Sequence, residues 1–191
     1  MPRLFTALEI PKSAAMSLSL LRGGVPGARW IDRENFHITL RFIGDVDHRT
    51  ADEVVESLDR VRRQQFMLTL SGTGFFGNKK PHSIWAGVQP SAELNLLHAD
   101  LERICQRMGL APEPRKFTPH VTLARLKNAR VDDVVHYLTG RGDFQALPFA
   151  VPRFVLMSSR NSVGGGPYVV EEEYPLTMPT LSRPAPIEIR L

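Results

Sequence analysis

His37-Ile38-Thr39-Leu40 and His120-Val121-Thr122-Leu123 are two copies of one pattern: a histidine and a threonine two residues apart, with aliphatic side chains between and after them. On a β-strand, successive side chains alternate between faces. His37 and Thr39 therefore share one face and Ile38 and Leu40 the other. His120 and Thr122 stand against Val121 and Leu123 in the same way. Two such strands side by side place two imidazoles and two hydroxyls in one cleft over an apolar layer. A lone His-x-Thr is weak evidence, because threonine favours strands and histidine often sits at a sheet surface. Here both copies match at the aliphatic positions, and each has matching company, Asn35-Phe36 before the first and Thr118-Pro119 before the second.

Working outward, Phe36, Ile38, Leu40 and Phe42 alternate with His37, Thr39 and Arg41, which predicts a strand over 36–43 closed by Gly44. Similar patterns predict strands over 4–10, 29–31, 66–70, 83–89, 120–126, 149–157 and 168–174. Helical spacing predicts helices over 12–22, 47–63 and 131–138, and a long one capped by Ser91 and running to Met108. Gly72, Gly74 and Gly77 predict a turn-rich stretch, and residues 161–167 a long, flexible hairpin tip. This order gives an α+β fold. Its two pseudo-symmetric lobes have antiparallel sheets flanking a central cleft, with helices on the outside. Residues 1–178 are expected to form a single two-lobed domain and 179–191 a Pro-rich irregular tail.

Bulk properties narrow the class. A chain of 191 residues with 42% hydrophobic and 23% charged residues is ordinary for one globular domain. The net charge of +4 tolerates an anionic partner without demanding one. The single cysteine, Cys105, excludes an intrachain disulfide, fits a reducing compartment and reads as packed in a helix. No apolar run approaches a membrane span, and the N-terminus enters a strand-like segment directly, so no membrane association and a cytoplasmic location are expected.

Histidine titrates near pH 6.5, at about the point where one imidazole can be neutral and its neighbour protonated. A pair facing one substrate can act as general base and general acid in one turnover, each role contributing roughly 10²–10⁴-fold. Threonine hydroxyls beside them can donate to a phosphoryl oxygen where charge develops. Arg41 shares the face of His37 and Thr39 and is a candidate substrate contact. Arg125 falls on the opposite face by strict alternation and reaches the cleft only if its strand bends or ends near Ala124. Phe42 shares the side of Ile38 and Leu40 and reads as core, while Tyr168, beside the glycine loop, is a candidate base-stacking residue. His48, His98 and His136 read as solvent-facing or structural. A metal site is not expected, since the histidines lack a spacing such as His-x-x-x-His.

The paired motifs resemble the two-histidine (2H) phosphoesterase superfamily. The match narrows to its RNA 2′,3′-cyclic phosphodiesterase branch, historically called 2′-5′ RNA ligases. It extends over roughly residues 3–177, taking in the stretches 3–11, 29–44, 74–76, 84–88 and 117–125 in family order. The resemblance implies two α+β lobes around a V-shaped, positively lined cleft. It implies catalytic His37 and His120, read here as proton donor and proton acceptor in an order the sequence leaves open, phosphate-binding Thr39 and Thr122, and an Arg125 that approaches the phosphate despite the alternation. It implies no cofactor, and partners that are RNA ends or nucleotides bearing a 2′,3′-cyclic phosphate, opened to a 2′-phosphate by a monomeric enzyme. The alternatives are 2′-5′ ligation of tRNA halves, or a non-catalytic RNA-end or nucleotide-binding module. Many relatives carry an arginine before the strand of Trp85, where this chain has His82, read here as a surface loop residue.

Overall fold

The computed structural model describes residues 3–159 and 166–178, so residues 161–165 of the predicted hairpin tip and the Pro-rich tail lie outside the described residues. In chain order the elements are β1 (Arg3–Glu9), α1 (Lys12–Ser19), β2 (Ala28–Trp30), β3 (His37–Asp45), α2 (His48–Leu58), β4 (Phe66–Leu68), β5 (Leu70–Phe76), β6 (Ser83–Val88), α3 (Ala92–Arg107), β7 (His120–Leu126), α4 (Val131–Thr139), β8 (Phe149–Val151), β9 (Arg153–Ser159) and β10 (Tyr168–Pro175). Ser91 caps α3 as expected, its side chain accepting from the Leu94 amide.

Among the described residues, the strands form an eight-stranded sheet in the order β10-β9-β1-β3-β7-β6-β5, with β2 on the far part of β7, and a separate pair β4-β8. All named pairings are antiparallel. The sheet is nearly two sheets. Between β3 and β7 the ladder is reduced to Ile38 opposite Val121, the second residue of each motif. Helices sort by half. α3 covers β3, with Glu102 paired to Arg41, and the Tyr174 hydroxyl of β10 donates to Val55 of α2. Tyr137 of α4 packs on Trp30 of β2 and donates to the Leu21 carbonyl just past α1.

One large apolar core runs under both halves, from Leu8 and Ile38 through Leu97 and Leu101 to Ile84, Val121 and Val134, all essentially inaccessible to solvent. Burial of this kind is the dominant favourable term in folding. A smaller cluster, Phe5, Ala7, Val155 and Met157, lies on the other face of β1 and β9, under Tyr168 and Val170. Strand β1 is therefore buried on both faces, and Cys105 is packed in the interior, where burial pushes its thiol up to about 11.

Two expectations about the elements need correction. Residues 70–76 form a strand, β5, where the glycines predicted a turn-rich stretch. Gly74 is there because the Trp85 indole lies against it: a Cβ would come within 2.3 Å of the ring. The glycine serves close approach between neighbouring strands, which a turn rule misreads. The expected strand over 149–157 is also two strands, β8 and β9, divided at Pro152, because proline has no N–H to give the ladder.

Candidate active site

His37 opens β3 and His120 opens β7, and both rings are held alike. His37 Nδ1 lies 2.8 Å from the carbonyl oxygen of Asn35, and His120 Nδ1 lies 2.7 Å from that of Thr118, in each case two residues upstream. A carbonyl oxygen can only accept, so Nδ1 carries the hydrogen in both rings. Nε2 is left free to take or give a proton. Extending the Ile38–Val121 register by one residue each way sets His37 opposite Thr122 and Thr39 opposite His120. All four side chains line one cavity of about 370 Å³, together with Arg125 and Tyr168.

Both imidazoles are held toward the neutral form. Burial lowers the His37 pKa to about 4, with the positive potential of His120 and Arg125 adding to the effect and the Asn35 carbonyl opposing it. Around the ring, Phe5 and Tyr168 stand at centroid distances of 5.2 and 4.8 Å. Burial also lowers His120, opposed by the Thr118 carbonyl and reinforced by Arg125. Its neighbours are Phe76, edge-on at 4.9 Å, and Trp85. An anion bound between the rings would act in the opposite direction and favour protonation.

Each motif strand carries a bulge at its leucine. Thr6 and Ala7 of β1 face Arg41 and Thr39, leaving Leu40 without an opposite. Ile84 and Trp85 of β6 face Ala124 and Thr122, leaving Leu123 likewise. The extra residue puts two consecutive side chains on the core side and flips the alternation beyond it. The expectations for Arg41, Phe42 and Arg125 turn on this. Arg41 does not line the cavity of the two histidines and only borders the adjoining one, beside Leu40 and Phe42. It is 6% exposed, on the core side, paired with Glu102 and donating to the Phe42 and Ala111 carbonyls. Phe42 is not core. It is 43% exposed and faces the cleft beside Phe5. Arg125 reaches the cleft because its strand bulges next to Ala124.

Other expected positions fall at the rim. His82 is exposed, as a surface residue should be, yet it lines the cleft and stacks on Phe76. His98 is half-buried and stacked on Phe117 at 3.8 Å, while His48 and His136 are exposed and outside the cleft lining. Of the basic residues around the second motif, Arg115 and Lys116 line the cleft wall, Arg115 being paired with Glu113. Among the described residues, no three of the His, Cys, Asp and Glu side chains converge as a metal site would require.

Sequence reasoning missed Asn35. Its backbone carbonyl fixes His37, and its side chain accepts from the Tyr168 amide at the start of β10. Gly166 closes over the same side chain: at φ +101°, its Cβ position would lie 2.4 Å from Asn35. The signal was available as the matched residues two places before each histidine. Arg3 and Phe5 of β1 also line the cavity, and nothing in the motifs pointed to them.

Comparison with known proteins adds independent findings. A family model described as the 2′-5′ RNA ligase superfamily matches residues 10–162. An RNA 2′,3′-cyclic phosphodiesterase of Aeropyrum pernix is 40% identical over 139 residues, covering 71% of this chain and 78% of the relative. That of Thermotoga maritima is 34% identical over 165 residues, covering 85% and 87%. Among solved structures, Escherichia coli LigT complexed with 3′-AMP superposes with a TM-score of 0.77 at 26% identity, over 93% of this chain and all of that one.

Proposed function

The chain belongs to the 2′-5′ RNA ligase superfamily and is, like its curated relatives, an RNA 2′,3′-cyclic phosphodiesterase; from that premise we propose that it opens the cyclic phosphate to a 2′-phosphate by acid–base catalysis between its two histidines. The observation that carries this reading is the matched fixation of the rings. Each Nδ1–H is committed to a backbone carbonyl, so each Nε2 is available at one cavity shared with Thr39, Thr122 and Arg125.

The step balances on these residues. Water attacks phosphorus while His120 Nε2 takes its proton. The bond from phosphorus to the 3′ oxygen breaks, and His37 Nε2–H delivers a proton to that oxygen. The products are a 2′-phosphomonoester and a 3′-hydroxyl, with His120 protonated and His37 neutral. Exchange with solvent resets both. Thr39 and Thr122 donate to the non-bridging oxygens, and the Arg125 guanidinium meets the growing charge with its fork of N–H groups. Burial keeps His37 neutral at pH 7. The anionic substrate brings the field that favours its protonated form.

The test is hydrolysis of a nucleoside 2′,3′-cyclic phosphate in EDTA, resolving 2′- from 3′-phosphate. His37→Ala and His120→Ala are each expected to lose roughly 10²–10⁴-fold in kcat. A substrate with sulfur in place of the 3′ oxygen separates the roles, because a thiolate leaves without protonation. It should restore His37→Ala and leave His120→Ala impaired. Rescue of His120→Ala instead would reverse the assignment, and full activity in either variant would refute it.

A further inference from the structure

Away from the two histidines, the segment after α2 and the C-terminal half of α3 enclose a cavity of about 400 Å³. Its floor is apolar: Val61 and Ile104 both pack on the main core. Its rim is cationic. Arg60 and Arg62 follow α2, Arg103 and Arg107 stand on α3, and Asp100 is the one carboxylate among them. That carboxylate is already engaged. Arg63 Nε lies 2.6 Å from it and Arg103 2.9 Å, and the two guanidinium groups hold it below the usual carboxylate range. The Arg62 side chain donates to the carbonyls of Asp59 and Val61, neutral acceptors that leave its charge intact. Among the described residues, the side chains of Arg60 and Arg107 have no acidic partner. A helix C-terminus attracts a cation, which accounts for Arg107 in the last turn of α3. Four guanidinium groups around one occupied carboxylate exceed that need, and their summed potential favours an anion among them.

Helix α3 ties this cavity to the active-site cleft. One flank of the helix turns His98 to the cleft and pairs Glu102 with Arg41, while the other turns Arg103 and Arg107 into the cavity. The chain that leaves α3 then returns to the cleft wall with Arg115 and Lys116. Basic groups thus stand on both sides of a helix end only about 10–12 Å across. We propose that the cavity is a distal phosphate site for the body of a single-stranded RNA whose cyclic end sits between the histidines, the strand crossing the C-terminal end of α3. Guanidinium forks hold phosphate oxygens in pairs. Contacts of this kind position a backbone and carry no base code. The site therefore gives affinity for RNA ends over free nucleotides, and it names the polymer as the substrate class. This inference rests on the phosphodiesterase reading above for the end that lies in the cleft.

The experiment separates the body of the RNA from its end. Binding is read by fluorescence anisotropy of a labelled single-stranded RNA of roughly 12 nucleotides with an ordinary 3′-hydroxyl end. Turnover is read on the same RNA with a cyclic end and on adenosine 2′,3′-cyclic phosphate. The proteins are the native chain, the double variant Arg60→Gln with Arg107→Gln, and the double variant Arg60→Lys with Arg107→Lys. The glutamine variant should weaken RNA binding about tenfold at roughly 0.1 M salt, and flatten the slope of log Kd against log salt by about 1.4, the share of two phosphate contacts on a single strand. Its KM for the RNA should rise by a similar factor, with kcat and the KM for the adenosine substrate within about twofold of native. The lysine variant keeps both charges and should stay within about threefold of native in Kd. A glutamine variant that binds RNA as the native chain does would overturn the site. So would an equal rise in KM for both substrates, or a native chain with the same KM for RNA and adenosine substrate. Each of these leaves the hydrolase intact. A native chain that binds RNA and turns over neither substrate would refute the phosphodiesterase reading, and the binding comparison would still decide the site.

Discussion

Strands β3 and β7 share a backbone plan and differ in what they hang on it. Each begins with a histidine whose Nδ1–H is bound two residues upstream, continues with an aliphatic residue and a threonine, and bulges at a leucine. The two residues after the bulge are Arg41 and Phe42 in β3, and Ala124 and Arg125 in β7. In both strands the first is buried and the second faces the cleft. A guanidinium occupies the core position on one side and the cleft position on the other. The symmetric frame thus carries an asymmetric site, cationic at β7 and aromatic at β3. Pairing arginine with arginine along the sequence, Arg41 with Arg125, misaligns the two halves by one residue.

Substitutions at these matched places should separate the two arginines. Arg125→Ala is expected to lower kcat by about 10²-fold, as for removal of one donor at a developing oxyanion, while the melting temperature stays close to native. Arg125→Lys should recover only part of the loss, since an ammonium lacks the planar fork. An Arg125→Ala enzyme of native activity would return that residue to the surface. Arg41→Met should behave in the opposite way. Opening the Arg41–Glu102 pair should cost about 3 kcal/mol in urea unfolding, at the lower end for a buried pair because Glu102 keeps some solvent contact. Activity per folded molecule should change little, and a large kcat loss without destabilisation would place Arg41 back in the cleft.

Smaller effects probe whether the two halves act equally. Thr39→Val and Thr122→Val remove one donor each while keeping the branched shape, and each should cost about tenfold in kcat. A tenfold loss in only one would show that a single strand holds the oxygens. The lowered histidines also set a pH profile. kcat/KM, which reports the free enzyme, should peak below pH 6.5, and the limbs of kcat should lie at higher pH because the bound phosphate favours protonation. An optimum above pH 7 in kcat/KM would contradict the burial of both rings.

The least of these effects is on stability. The folded-state pKa of His37, about 4, lies below its unfolded value, so as pH falls through 6.5 the unfolded chain takes up the proton first. The stability that the neutral ring contributes is complete above pH 6.5 and is lost as pH falls toward 4. His120 acts in the same direction. By pH 5 the loss attached to His37 should be on the order of 1 kcal/mol. His37→Gln should remove that part of the slope when urea midpoints at pH 7 and pH 5 are compared.

Much of this was legible along the chain. The His-x-Thr pairs, the strands bearing them, the Ser91 cap, the buried Cys105 and the α+β order are all local signals, each set by a few neighbouring side chains. The reading failed where a rule of local geometry met a partner far away in sequence. Strict alternation put Arg41 in the cleft and Phe42 in the core, and a glycine rule put turns where β5 runs. The causes lie in β1, in β6 and in the Trp85 ring, none adjacent in sequence to the residues misread.

By itself, then, the sequence determined which groups are available: two imidazoles, two hydroxyls, and the strand period that keeps each pair on one face. The tertiary structure decided which further side chains join them. Whether a residue beyond Leu40 or Leu123 points to cleft or core depends on one unpaired residue in a ladder, and that residue is unpaired only because of how β1 and β6 register against the motif strands. Alternation is a property of a strand, but a bulge is a property of two strands together, and it sends Arg125 to the cleft and Arg41 to Glu102.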